Sequence, residues 1–271
     1  MEYTHQTRIG NEGDVVKHAI LARLISGILE NRRPESFDYA ETHSGRAEYR
    51  LPSEGRWRYG IGKLSEKLIG EAAVGSGSGA APYDNKLEGL DPYIETCFAE
   101  SIRPGSLYPG SSGIVFKLMR KAAQRFTFRL LDVDAAVCHS LLGFYENWPE
   151  VSICRGDGYE GLHGHEDLSF VLVDPVAIDT EKERILSTLE SLSRREVPFL
   201  CWTALVQEKE PLHREFKEAT QDSYSVHWAS WRPMAGETYG CQITVSRTQG
   251  ALVRATLNAL GALMGWHIES F

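Results

Sequence analysis

Seven short apolar runs are spread along the chain, each rich in β-branched or aromatic residues and closed by a polar or turn residue. They are Ser36–Thr42, Phe126–Asp132, Val151–Cys154, Leu168–Asp174, Val197–Thr203, Ser225–Trp231 and Gln242–Ser246. Runs of this kind predict strands. Between them the spacing changes to that of helices. From Asp14 to Glu30, the residues Val15, Ile20, Leu21, Leu24, Ile25 and Leu29 fall on one apolar stripe, with Asp14 placed to cap it. Asp134–Tyr145, Thr180–Arg195 and Leu252–Leu263 repeat that spacing. Strand and helix in alternation predict an α/β protein with a mainly parallel sheet covered on both faces. Only a short loop, Arg232–Cys241, separates the last two runs, which predicts an antiparallel hairpin at a sheet edge. About seven strands with a terminal hairpin outline a Rossmann-like sheet. From Ala72 to Pro82 the chain turns to glycine, serine and alanine. Nothing there repays the cost of ordering the backbone, so this stretch predicts a flexible loop within an inserted lobe.

In open α/β sheets, ligands sit at the carboxyl ends of the strands. After the first run comes Glu41-Thr42-His43-Ser44-Gly45-Arg46-Ala47, which reads either as a plain tight turn or as a small-residue loop that lets a ligand approach the backbone. The second run ends in Asp132-Val133-Asp134. An acid at this point either accepts the two ribose hydroxyls of an adenosine-containing cofactor or caps the next helix, the role that suits Asp134. Arg155-Gly156-Asp157-Gly158-Tyr159 follows the third run, as an adenine contact or as an Asp-Gly turn. The fourth delivers Asp174-Pro175-Val176-Ala177. An Asp-Pro pair in an extended turn points a carboxylate and a carbonyl the same way, which suits gripping an amino group; a turn without chemistry is the alternative. At the N-terminus, Tyr3, His5, Gly10 and Asn11 precede Asp14, Lys17 and His18. The last three share one helix face by their i, i+3, i+4 spacing.

Composition narrows the function classes. Hydrophobic residues are 42% and charged residues 24%, as in ordinary globular proteins, which excludes a disordered or collagen-like chain. Lys plus Arg number 29 against 37 for Asp plus Glu, a net charge of −8. Any nucleic-acid contact must therefore be local. Arg8, Arg32 and Arg33, with Lys117, Arg120, Lys121 and Arg125, are candidates for such a rim. The five cysteines form no CxxC pair, which fits reduced thiols in a cytoplasmic protein. No run approaches the ~18 apolar residues of a membrane span, and the Met-Glu-Tyr-Thr-His start does not read as a signal peptide. His163 and His165 lack the partners a metal site requires and read as a solvated loop.

Together, Tyr3-x-His5, Gly10-Asn11-x-x-Asp14-Val15-x-Lys17-His18, Thr42-His43-x-Gly45, Tyr108-Pro109-Gly110-Ser111, Asp132, Asp157-Gly158 and Asp174-Pro175 resemble the 23S ribosomal RNA adenine-N6 methyltransferase J family, in family order across nearly the whole chain. The resemblance implies one class I methyltransferase domain over residues 1–271, with a seven-stranded sheet and a small helical subdomain inserted at 64–101. It implies S-adenosylmethionine as cofactor, bound by His18, His43, Ser111, Asp132, Asp157 and Gly158. Asp174 and the carbonyl of Pro175 would hold the target amine, and Tyr3, His5 and Lys17 would meet the substrate. The implied partner is 23S ribosomal RNA before full ribosome assembly, handled in the cytoplasm by a monomer without metal or membrane.

The chain departs from the family pattern in three places: Asp132 replaces Glu, Ala47 replaces the second loop glycine, and Val176-Ala177 replace Pro-Tyr. The absent aromatic would stack on the target base, an interaction worth ~1–3 kcal/mol. Besides the adenine-N6 reading, a methyltransferase with a changed substrate and a degenerate homologue that binds cofactor or RNA without turnover stay open.

Overall fold

The computed structural model describes residues 8–32, 34–74, 89–97, 102–162, 167–176, 178–206, 210–232 and 239–271. Tyr3, His5, Ala177, the His163/His165 pair and most of the glycine–serine stretch lie outside them.

The chain runs α1 (Glu12–Asn31), β1 (Phe37–Glu41), β2 (Glu48–Arg50), α2 (Ile61–Val74), α3 (Asp91–Cys97), β3 (Leu107–Pro109), α4 (Ser111–Lys121), β4 (Phe126–Asp132) and α5 (Ala135–Phe144). It continues with β5 (Val151–Arg155), β6 (Phe170–Val173), α6 (Ile178–Arg194), β7 (Phe199–Val206), α7 (Glu210–Gln221), β8 (Ser225–Trp231), β9 (Tyr239–Val245), α8 (Gly250–Met264) and β10 (His267–Ser270).

The main sheet has eight strands in the order β10-β8-β9-β7-β6-β1-β4-β5, one more than the seven expected. β5 through β7 pair in parallel; β9, β8 and β10 are antiparallel. The terminal hairpin is therefore not at the edge. β9 lies inside, between β7 and β8, and β10 takes the edge beside β8. His227 of β8 fastens that added strand. Its Nδ1 lies 2.7 Å from the Ser270 hydroxyl and its Nε2 2.9 Å from that of Ser225.

Parallel strands buried on both faces read as continuous apolar runs, and β6 (Phe-Val-Leu-Val) is buried at every position. α1, α4, α5 and α8 contribute to the core on one face of the sheet, and α6 and α7 to that on the other. α1 is buried along most of its length, packed against α3, α4, α8, β7 and β9. Its cap is Asn11 rather than Asp14. The Asn11 Oδ1 accepts from the Asp14 amide at 2.9 Å, and Asp14 reaches back to accept from the Gly10 amide at 2.8 Å. This reciprocal pairing fixes the first turn of α1, which carries the site's charged residues.

Candidate functional site

Because β1, β4, β5 and β6 are parallel and in register, their carboxyl ends deliver their terminal residues to one rim. The loop after β1 folds back over β4: the Ser44 amide donates to Leu131 O at 3.0 Å, and the Gly45 amide donates to Asp132 Oδ2 at 3.1 Å. Gly45 takes φ +62°, which costs glycine little. Asp132 Oδ1 accepts from the Asp134 amide at 2.8 Å, while Asp134 caps α5 through the Ala136 amide at 2.7 Å. Asp134 thus takes the capping role, and Asp132 is held between the Gly45 and Asp134 amides. Each Asp132 oxygen has one such backbone bond and retains capacity for another donor. Val133 beside it is 67% exposed, an apolar side chain held open at a strand end.

On β5's side, Asp157 Oδ1 accepts from the Tyr159 and Glu160 amides at 3.0 and 3.2 Å and pairs with Arg184 at 2.5 Å. The Arg184 hydrogen bond holds the Asp157 carboxyl below its usual range. All three contacts fall on Oδ1. Gly158 is sterically required, since a Cβ there would lie 1.8 Å from Thr42 O. It lets the β1 and β5 loops touch. His43 pairs with the Thr42 hydroxyl at 2.8 Å through Nδ1 and with Glu181 at 3.4 Å through Nε2, and Glu181 also accepts from the Tyr159 hydroxyl at 2.7 Å.

On the α1 side, His18 is buried, its Nδ1 2.8 Å from the Tyr108 hydroxyl, which in turn lies 3.0 Å from that of Tyr93. Ser111, at the start of α4, donates to Glu41 Oε2 at 3.0 Å, and Tyr39 donates to Oε1 at 2.6 Å. Glu41 was not among the expected site residues. Its signal in the sequence was an acid as the last residue of a buried strand. Burial pushes its carboxyl up to about 8, against the two hydrogen bonds that favour the charged form.

That shift gives a testable sign. The ordinary value is 4.5, so between there and about 8 the folded state holds a proton that the unfolded state releases. The linked stability is fully present below the unfolded value and is lost as pH rises through the folded one. Urea unfolding of Glu41→Gln is expected to show its stability rising relative to the parent by a few kcal/mol (roughly) between about pH 5 and pH 9. A constant difference would mean that Glu41 is ionised in the fold.

Asp174 closes β6, followed by buried Pro175 and by Val176, 69% exposed. Its Oδ2 lies 2.7 Å from Lys17 Nζ, which is also 3.4 Å from Asp14. Burial disfavours the Lys17 charge, but the Asp174 and Asp14 carboxylates outweigh it and hold its pKa above the usual lysine range. The ammonium also lies 5.2 Å from the ring centre of half-buried Trp202. Trp202 stands on β7 one step beyond Cys201, the partner of Val173, and so beside Asp174. Tyr159 lies against His43 and Tyr239 against Arg56, whereas Trp202 meets the Lys17–Asp174 pair. The structure thus joins Lys17 to Asp174 and Ser111 to Glu41, and sets Asp132, Asp157, Gly158 and His43 around the same strand ends. Among the described residues, no group of three or more His, Cys, Asp or Glu is arranged to hold a metal ion, and no helix is long and apolar enough to cross a membrane.

No protein-family model matches the chain. It is 26% identical over 181 residues to the ribosomal RNA large subunit methyltransferase J of Escherichia coli, an alignment spanning 65% of this chain and 59% of that protein. It is 35% identical over 69 residues to the protein of the same name from Haemophilus influenzae, spanning 24% of each. The aligned part thus covers less than two thirds of either relative. A crystal structure of a Legionella pneumophila protein of the DUF519 family superposes with a TM-score of 0.72 at 20% identity, covering 97% of this chain and 98% of that one. The likeness establishes a shared fold over nearly the full chain.

Proposed function

We propose that this protein is an S-adenosylmethionine-dependent methyltransferase acting on the N6 amino group of an adenine in large-subunit ribosomal RNA. The observation that carries the reading is the placement of Asp174-Pro175 at the mouth of β6, on the same rim as Asp132, Asp157 and the 42–47 loop. The named relatives supply the choice of RNA.

Asp132 has free acceptor capacity for the ribose hydroxyls, and exposed Val133 offers an apolar face to the adenine ring. Among the described residues, Asp157 Oδ2 faces no donor, which suits the adenine amino group. His18, His43 and Ser111 line the remainder, with Ser111 and His18 oriented by Glu41 and Tyr108. When bound, the cofactor supplies an electrophilic methyl group on a sulfonium.

The chain's own residues then position the amine. Asp174 would accept one amine N–H and the Pro175 carbonyl the other, which leaves the nitrogen lone pair free to act as the nucleophile. Holding the reactants in near-attack geometry removes several kcal/mol (about 7–11 at best) from the barrier. Lys17 keeps the carboxylate in place and offsets its burial. The proton leaves during or after transfer, so no strong base is required.

A changed amine substrate is the second reading, favoured by exposed Val176 in place of the family's proline, with Ala177 in place of its tyrosine. Calorimetry with S-adenosylmethionine and its demethylated product is expected to give saturable heat with both. Mass spectrometry of ribosomal-RNA nucleosides from cells with and without the gene then separates the readings. Loss of N6-methyladenosine supports the first; an unchanged nucleoside profile with intact cofactor binding supports the second.

A further inference from the structure

The basic residues singled out from the sequence lie mostly at the wrong end of the molecule to meet a substrate at Asp174. Lys117, Arg120, Lys121 and Arg125 gather around the end of α4, whose first residue, Ser111, is at the site; eleven residues of helix put roughly 15 Å between them. There Lys117 donates to Thr96 O, Lys121 pairs with Glu95, and Arg120 lies over Trp148.

A different set of arginines borders the mouth. Arg46, Arg50, Arg56 and Arg58 fall within thirteen residues, against only Glu48 and Glu54, in a chain whose net charge is −8. Of the aromatics interleaved among them, Trp57 is buried in the core and Tyr49 is half-buried, while Tyr59 is exposed. The structure gathers this stretch into one flap. β2 pairs with β3, the Leu51 amide donates to Ser106 O, and the Gly105 amide donates to Leu51 O, which brings exposed Arg103 and Leu107 alongside. The Ile61 amide donates to Gly10 O at 2.9 Å, seating the flap on the turn that starts α1, the helix of Lys17.

The guanidiniums are braced without being used up. Arg50 donates from Nη1 to Gly105 O at 2.8 Å. Arg58 donates from Nη2 to Ser53 O at 2.8 Å and to Glu54 Oε1 at 3.1 Å, and stays 49% exposed. Arg56, 3.6 Å from buried Glu12, lies over the ring of Tyr239, at the end of β9 that pairs with the last residue of β7. In a 3-10 turn residues i and i+3 eclipse, so Arg56 shares a face with Tyr59, which is 46% exposed.

We infer that the 46–59 flap, with 103–107, is the surface that docks the RNA backbone on either side of the target nucleotide. This rests on the RNA reading above. Arginine suits the task because its fork holds several donors, one of which can brace the protein while the others meet phosphate. The one exposed ring among these three, Tyr59, is placed to stack on an unpaired base without demanding a sequence.

The test uses the full chain and a fluorescein-labelled RNA stem-loop with adenine in its loop, followed by anisotropy from about 50 to 200 mM salt. Arg50→Gln with Arg58→Gln removes two charges while keeping donors for Gly105 and Ser53. It is expected to weaken binding about tenfold or more and to lower the slope of log K against log salt by about 1.5. Arg50→Lys with Arg58→Lys should restore most of that slope. Lys117→Gln with Lys121→Gln, at the far end, should bind as the parent does. Calorimetric affinity for S-adenosylmethionine should be unchanged in all three. If the parent binds and methylates RNA while the arginine pair leaves affinity and slope untouched, or if the far-end pair produces the same loss, the flap is not the docking surface. A parent that takes up the cofactor yet binds no RNA at any salt overturns the RNA reading itself.

Discussion

Asp174→Asn is expected to lower methyl transfer by about three orders of magnitude or more while leaving affinity for S-adenosylmethionine within a few-fold of the parent. In the proposed mechanism the carboxylate meets the incoming amine and not the cofactor's ribose or adenine, so its loss would fall on the transition state. Asparagine is the right replacement for a structural reason. Asp174 is one of two carboxylates around Lys17, which is 7% exposed. Deleting one partner of a buried pair commonly costs 3–5 kcal/mol, on the order of a domain's whole stability. Asparagine keeps an oxygen for the Lys17 ammonium at nearly the same volume. Single-turnover methylation and calorimetry on the same preparation separate chemistry from binding. A variant that turns over at the parental rate would remove Asp174 from the mechanism.

Asp132→Ala is expected to do the reverse. In the proposed reading two ribose hydroxyls lose a carboxylate acceptor, each such bond contributing about 1.5–3 kcal/mol, so cofactor affinity should fall by roughly two orders of magnitude or more. The same change frees the Gly45 and Asp134 amides, so part of the loss comes from a looser 42–47 loop. Asp132→Glu tells these apart. It retains the charge one methylene further out, as in the family pattern, and should recover most of the affinity if the carboxylate itself contacts the ribose. Unchanged affinity in the alanine variant would mean that the ribose lies elsewhere.

The seven strands were legible because burial on both faces, or on one, imprints directly on composition, as in Phe170–Val173 and Phe126–Asp132. β10 was not. Four residues just after the helix-ending Gly265, exposed at three positions, carry no periodic signal, and they are held by pairing with the distant β8 and by the contact of His227 with Ser270, 43 residues apart. α7 escaped notice because it opens Glu-Pro and shows a thin apolar stripe amid charge. At the site, residues that end strands announced themselves, Asp132 and Asp174 among them. Pairings did not. Lys17 and Asp174 lie 157 residues apart, and no local pattern reports such a contact. Glu41 was hidden for the opposite reason: its neighbours made it part of a strand, with Tyr39 two residues away on that strand, and its distant partner Ser111 arrives only with α4.

The deep burial of α1 sets the order in which the protein can be made. This helix is synthesised before every other element described, yet much of what covers it comes far later: β7 ends at Val206, β9 at Val245 and α8 at Met264. At about 5–20 residues per second, roughly 10–50 s of synthesis separate the end of α1 from the end of α8. Through that interval Val15, Val16, Ile20, Leu21, Leu24 and Ile25 lack their final cover. An unfinished chain therefore presents an unshielded apolar helix to the cell, a natural target for holding chaperones. Truncations that remove α8 should yield aggregates rather than a smaller folded core.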